Sequence, residues 1–248
     1  MNTRRWLLAL ACMLCTDAGA ADFSLGADYW GYQVRGSVNR NGDVLDFDRD
    51  LGVQAQTHAL LQAAWNTGPG WWKPDFALSY APIKAGGQQE VTAGTRFGGL
   101  LFPSGNTVIF GDADLKDLAL TLRYPLALGN ARIWGGISAK HVNGEVTVRD
   151  RNDTQEDVQD INQWFPMLHV AAAIPAASWL TLSAEANGAR YASNQAWDVR
   201  AGASIGIYGP LGLNAGWAAR HYHVESDSSY RLDATLSGVT AGLYLLLR

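Results

Sequence analysis

The sequence predicts an all-β chain: a transmembrane, up-and-down antiparallel β-barrel of about ten strands, with twelve or eight as the alternatives. Three observations predict it. Hydrophobicity alternates with a period of two over almost all of the chain beyond residue 20, in runs that suit a tilted strand crossing a bilayer, ~9–11 residues. The connections between runs alternate between short turns and longer polar loops, the plan of outer-membrane barrels with the short turns on the periplasmic rim. The composition holds 27 glycines and 10 tryptophans against three methionines. Glycine lets strands bend, and tryptophan favours membrane interfaces.

The first twenty residues, MNTRRWLLALACMLCTDAGA, read as a secretory signal peptide. Arg4 and Arg5 form the basic region, Trp6 to Leu14 the apolar one, and Ala18-Gly19-Ala20 the cleavage signal. The apolar run is too short to span a membrane. Cleavage is expected between Ala20 and Ala21, which makes 21–248 a single barrel domain. Both cysteines, Cys12 and Cys15, lie in this segment. The mature chain would therefore have no disulfide, thiol nucleophile or thiolate metal site. The whole chain carries 19 basic and 23 acidic side chains, net −4. That mild acidity argues against nucleic acid as a partner.

Strands are expected near 22–38, 53–66, 74–88, 107–126, 131–148, 161–175, 178–192, 195–208, 211–225 and 231–247. In the second, Ala55, Thr57, Ala59, Leu61, Ala63 and Trp65 share one face, and Gln54, Gln56, His58, Gln62 and Asn66 the other. The fourth and fifth form the plainest hairpin, DLALTLRYPLALGNARIWGGISAK at 117–140. Leu118, Leu120, Leu122, Tyr124 and Leu126 alternate with Asp117, Ala119, Thr121 and Arg123, and Gly129-Asn130 makes the turn. The seventh sets Leu180, Leu182, Ala184 and Ala186 against Thr181, Ser183, Glu185 and Asn187. The eighth sets Trp197, Val199, Ala201, Ala203, Ile205 and Ile207 against Asp198, Arg200 and Ser204. The glycine-rich EVTAGTRFGGLLF, within 84–110, either extends the third strand or forms an extra hairpin.

In hydrocarbon every backbone group must be paired, so the sheet must close and its charged face must point inward. Asp117, Arg123, Lys140, Glu185, Asp198, Arg200 and Arg220 are then expected to meet in the lumen, pair across it and plug it with polar side chains. Arginine at Leu120 should cost about 2–4 kcal/mol and at Thr121 be tolerated far better. Trp65, Trp71, Trp72, Tyr124, Trp179 and Tyr208 should form an aromatic girdle beside the short turns, with Phe76 near them.

Several segments together resemble a little-characterised family of small outer-membrane β-barrel proteins of Gram-negative bacteria. They are FDRDLGV at 47–53, DADLKDLALTLRYPL at 112–126, and WFPMLHVAAAIPAASWLTLSAEANGARY at 164–191, in which Pro166 opens a strand. The fourth is the terminal Ser237-Gly238…Gly242-Leu243-Tyr244. The resemblance implies a signal-bearing barrel of roughly ten strands with no established activity, and it supplies no catalytic residue. Outer-membrane strands usually close on a terminal aromatic, whereas this chain ends Leu245-Leu246-Leu247-Arg248.

Catalytic patterns are sparse. ARHYHVESDSS at 219–229 begins like the Arg-His-x-Ser-Asn motif of outer-membrane lipid A deacylases, but His223 stands where the serine belongs, and Ser226 is the nearest hydroxyl. His221 and His223, with Glu225 next in the row, share the face of Leu213 and Trp217, the lipid side or its outer edge. They share a face as metal ligands would, but rim histidines near a strand end explain the same pattern without a metal. The acidic run Asp150–Asp160 lacks the spacing of a calcium loop and reads as a solvated loop meeting cations among lipopolysaccharide phosphates. The expectation is a monomer without cofactor, in contact with outer-membrane lipid and lipopolysaccharide, and served by secretion and barrel-insertion machinery. Its role would be structural, binding or narrow solute passage. The rival classes are an enzyme acting on lipid or peptide at the outer rim through His221 or His223, and a selective pore set by Arg123, Lys140, Glu185 and Arg200.

Overall fold

The computed structural model describes residues 21–68, 73–90, 94–102, 108–128, 131–151, 156–226 and 230–247. The expected signal segment, Trp71, Trp72 and the Gly129-Asn130 turn lie outside them. The strands are β1 (Asp22–Arg40), β2 (Asp43–Asp46), β3 (Gln56–Asn66), β4 (Asp75–Glu90), β5 (Thr95–Phe97), β6 (Leu100–Phe102) and β7 (Val108–Leu128). They continue with β8 (Ala131–Asp150), β9 (Glu156–Ala177), β10 (Leu180–Tyr191), β11 (Asn194–Tyr208), β12 (Leu211–Ser226) and β13 (Tyr230–Leu247). Ten of them, in the order β13-β12-β11-β10-β9-β8-β7-β4-β3-β1, form an antiparallel wall that closes where β1 pairs with β13, from Phe23–Leu247 to Arg40–Tyr230. The closure joins the first and last strands of the wall, as a lipid-exposed sheet requires. β2 adds to β1 above the point where β3 ends, and β5–β6 is a separate hairpin. The glycine-rich segment therefore forms an extra hairpin that does not join the wall.

β7 carries two opposite alternations end to end. In the half nearer the short turns, apolar side chains face outward: on β7, Leu118, Leu120, Tyr124 and Leu126 are exposed while Asp117 and Thr121 are buried. In the half nearer the long loops the order inverts. Asp112, Asp114 and Lys116 are exposed, and Ile109 and Leu115 are buried. The inversion falls at Lys116-Asp117, two adjacent polar residues that shift the polar phase by one position; with a strict period of two, one such step exchanges the faces. β13 repeats it, with Val239 and Leu243 outward in one half and Leu232, Ala234 and Leu236 inward in the other.

The lumen is thus not plugged by polar side chains alone, as the sequence led us to expect. Its loop-side half is an apolar core that includes Trp30, Val38, Leu60, Ile83, Val142 and Phe165. The physical reason is solvent: beyond the bilayer the exterior meets water, so the inside becomes the only place to bury apolar area. Two inserted segments complete this core. Asn41 and Gly42, both at positive φ (54° and 91°), turn β1 back into β2 as an Asn-Gly hairpin does. The FDRDLGV segment then folds into the barrel mouth, burying Phe47 and Leu51. Asp46 accepts hydrogen bonds from the backbone N–H of Asp48 (3.0 Å) and Arg49 (2.9 Å), and Val53 N–H donates to the Phe47 carbonyl at 2.8 Å. Gly111 leaves room in the wall; a Cβ there would lie 2.8 Å from Leu51 Cδ1. Beside β2, the β5–β6 hairpin buries Phe97 and Phe102.

Two further expectations change. Most of the acidic run is strand, because the β8–β9 ladder reaches Arg149–Glu156. Its Asp157 pairs with Arg40 at 3.1 Å instead of standing in a solvated loop. Pro166 does not open a strand but lies within β9.

Candidate functional site: a charged chamber beneath an apolar seal

The inward side chains of the bilayer-side half are supplied by strands that the outward leucines hold in register. Where the two halves of the lumen meet, Asp117 is held by three donors. Lys140 Nζ lies at 3.1 Å, Arg220 Nη1 at 2.6 Å, and the Tyr222 hydroxyl bonds the same oxygen. Lys140 also pairs with Asp198 at 2.7 Å. Arg220 lies over the Trp30 ring (5.2 Å) and Lys140 over Tyr222 (5.5 Å), so aromatic rings pack against both cations. Ions taken out of water are tolerated only when paired in this way, and all three donors converge on Asp117 Oδ2, leaving Oδ1 buried without a hydrogen bond.

Toward the short turns, Asp28 accepts from Gln62 (3.1 Å), Asn214 (2.6 Å) and Arg200. Asn187 donates to Glu185 and Asp198, both at 3.1 Å, while its oxygen meets His169 Nδ1 at 2.8 Å. Asp75 accepts from Trp134 Nε1 and from the Thr67 backbone, both at 2.9 Å. Arg123 stacks over Trp134 at 4.7 Å. Of these groups Gln62, Arg123, Trp134, Glu185, Arg200 and Asn214 line a chamber of about 210 Å³. Arg123 Nε is buried there without a hydrogen-bond partner.

The seven charged residues singled out in the sequence all lie on inward-facing positions, divided among these neighbourhoods. Asp117, Lys140, Asp198 and Arg220 form one connected network. Glu185 joins it through Asn187, Arg200 pairs with Asp28, and Arg123 stands at the turn end. Sequence reading missed Asp28, Asp75, Trp134 and Tyr222. Strand parity from Leu25 and Phe76 could have found the two aspartates; nothing in the pattern marks the aromatics as luminal.

Of the aromatics singled out beside the short turns, Trp65 stacks on Phe76 at 5.8 Å, and Tyr124, Trp179 and Tyr208 are exposed. A second ring, unforeseen, marks the other border of the apolar band with exposed Tyr29, Trp164 and Trp217. His221 and His223 face outward above that ring. His221 stacks on Trp197 and meets the Thr235 hydroxyl at 3.0 Å, and His223 lies 3.0 Å from Asp233. Among the described residues no three His, Cys, Asp or Glu are grouped to hold a metal.

A closed ten-stranded antiparallel barrel with an outward apolar band, aromatic borders and a charged interior has the fold of the small outer-membrane β-barrel proteins. Solved structures of that class match it. The outer-membrane protease OmpT of Escherichia coli superimposes with a TM-score of 0.56 at 8% identity, over 94% of this chain and 100% of that one. Ail of Yersinia pestis (TM-score 0.38, 9% identity, 92% and 100%) and OprG of Pseudomonas aeruginosa (0.38, 12%, 92% and 97%) are more distant. The likeness is one of fold. No protein-family model and no curated protein sequence matches the chain.

Proposed function

We propose that the chain is an integral outer-membrane protein of a Gram-negative envelope, released from its signal segment near Ala20–Ala21. Its role is structural or solute-binding, and it does not conduct. The observation that carries this reading is the seal: Phe47, Leu51, Phe97 and Phe102, each no more than 7% exposed, close the loop-side half over the charged network. The chamber below is left as a blind site. Arg123 and Glu185 both line it, which suits a small zwitterionic or anionic solute arriving from the short-turn side. The seven charges and the girdle aromatics then serve as site and anchor respectively, with outer-membrane lipid and lipopolysaccharide as surroundings, secretion and barrel-insertion machinery as transient partners, and the monomer as the working unit. Planar-bilayer recording tests it: a flat trace is expected from the intact protein, and discrete steps that scale with protein amount would contradict it.

A further inference from the structure

The barrel wall has a seam. β3 and β4 pair only from Trp65–Phe76 to Leu61–Tyr80. Above that, β3 stays paired to β1 as far as Gln56, and β4 to β7 as far as Glu90, but not to each other. A lone bridge, Val53–Gly87, rejoins the two sides higher up. Between these limits Gln56–Leu60 faces Ala81–Gly86 with no ladder. Pro82 stands in the gap and offers no N–H to close it. From inside the barrel, the Tyr32 hydroxyl spans the gap: it donates to the Lys84 carbonyl at 2.9 Å and meets His58 Nδ1 at 3.0 Å.

The seam's height is set by its outward neighbours. Ala59 is paired with Tyr29, of the upper aromatic ring, and Lys84 is the first charged outward residue of β4. The gap therefore begins within the apolar band and ends at its outer border, the level of the outer leaflet. Unpaired backbone at that depth is costly, and a single phenol satisfies only part of it. Behind the gap lie Leu60 and Ile83, each 2% exposed, and an apolar pocket of about 40 Å³ lined by Val34, Phe47, Leu51, Ile83, Leu115 and Leu236.

We propose that this seam is a lateral port, latched by Tyr32, through which one linear acyl or alkyl chain of an outer-leaflet amphiphile enters the apolar half of the lumen. The lining is apolar except for Asp112 and Tyr222, so the ligand's chain and not its headgroup is recognised. The pocket is small with the plug seated, so an entering chain displaces Phe47 or Leu51, which sit on an inserted segment and not on the wall. The inference deepens the binding role proposed above and rests on the bilayer-embedded, sealed barrel.

The test uses full-length mature protein in phosphatidylcholine vesicles containing a diazirine-tagged palmitic acid, with photolysis and peptide mapping of adducts. Outward adducts, on Leu61, Leu78 or Leu120, are expected in every variant and report only that the barrel is embedded; their loss would indict that reading instead. Inward adducts on Val34, Leu51 or Ile83 are expected in the wild type. They should rise several-fold in Tyr32→Phe, which loses the latch, and fall several-fold in Pro82→Val, which regains a donor. Labelling confined to outward residues, or inward labelling equal in all three proteins, overturns the port. If Tyr32→Phe does not fold, the wild type against Pro82→Val decides alone.

Discussion

At the scale of single residues, neighbours along a strand live in different solvents. Leu120 is 55% exposed on the bilayer face, and Thr121 beside it is 5% exposed, donating to the Ser138 hydroxyl at 3.0 Å. Leu120→Arg should lower the free energy of folding into vesicles by about 2–4 kcal/mol, as charges near the mid-bilayer do; a loss below ~1 kcal/mol would place Leu120 off the lipid face. The sequence suggests that arginine is tolerated far better at Thr121 than at Leu120, and the buried Thr121 side chain narrows that difference. Thr121→Arg should also destabilise, through overpacking. Asp117 is the other decisive residue. Asp117→Asn leaves Arg220 buried without an ion pair while Lys140 keeps Asp198, and should cost about 3–5 kcal/mol in urea titrations.

At the scale of elements, much of the wall was legible before the structure and the inserted segments were not. Strand boundaries emerge from period-two runs because each run has one solvent on its outer face. The leucines locate the bilayer half of β7, but the aspartate-leucine repeat in DADLKDL does not reveal the exchange of faces at Lys116-Asp117. The repeat looks like one continuous alternation unless the solvent outside is known to change. Proline placement follows the same logic in hindsight. Pro82, Pro125, Pro166 and Pro175 each stand where one neighbouring strand is missing from the ladder, positions that tolerate a lost donor. The plug was illegible because Phe47 and Leu51 are isolated apolar residues among aspartates, with no period to reveal them. Its fit can be tested at the wall. Gly111→Val should drive Leu51 out of the mouth, making residues 41–55 markedly more susceptible to added protease while heat-modifiable gel mobility is retained. Unchanged cleavage would mean that Leu51 does not seat there.

At the scale of the whole molecule, the chain is a barrel turned outside-in within the bilayer and right way round above it, sealed by its own core. Deleting residues 43–53 should remove part of that seal while keeping β1 and β3 joined, and should give bilayer conductance where the intact protein gives none. The inversion itself is open to direct measurement, because the only cysteines lie at positions 12 and 15, so single spin labels can be placed along β7 of the mature chain without background. Scanning positions 109–126 for collision with oxygen and with a water-soluble nickel complex separates lipid, water and core at each site. The account predicts oxygen contact at 118, 120, 122, 124 and 126, nickel contact at 112, 114 and 116, and neither at 109 and 115. A single uninterrupted phase, with one face in lipid from 126 to 110, would contradict it.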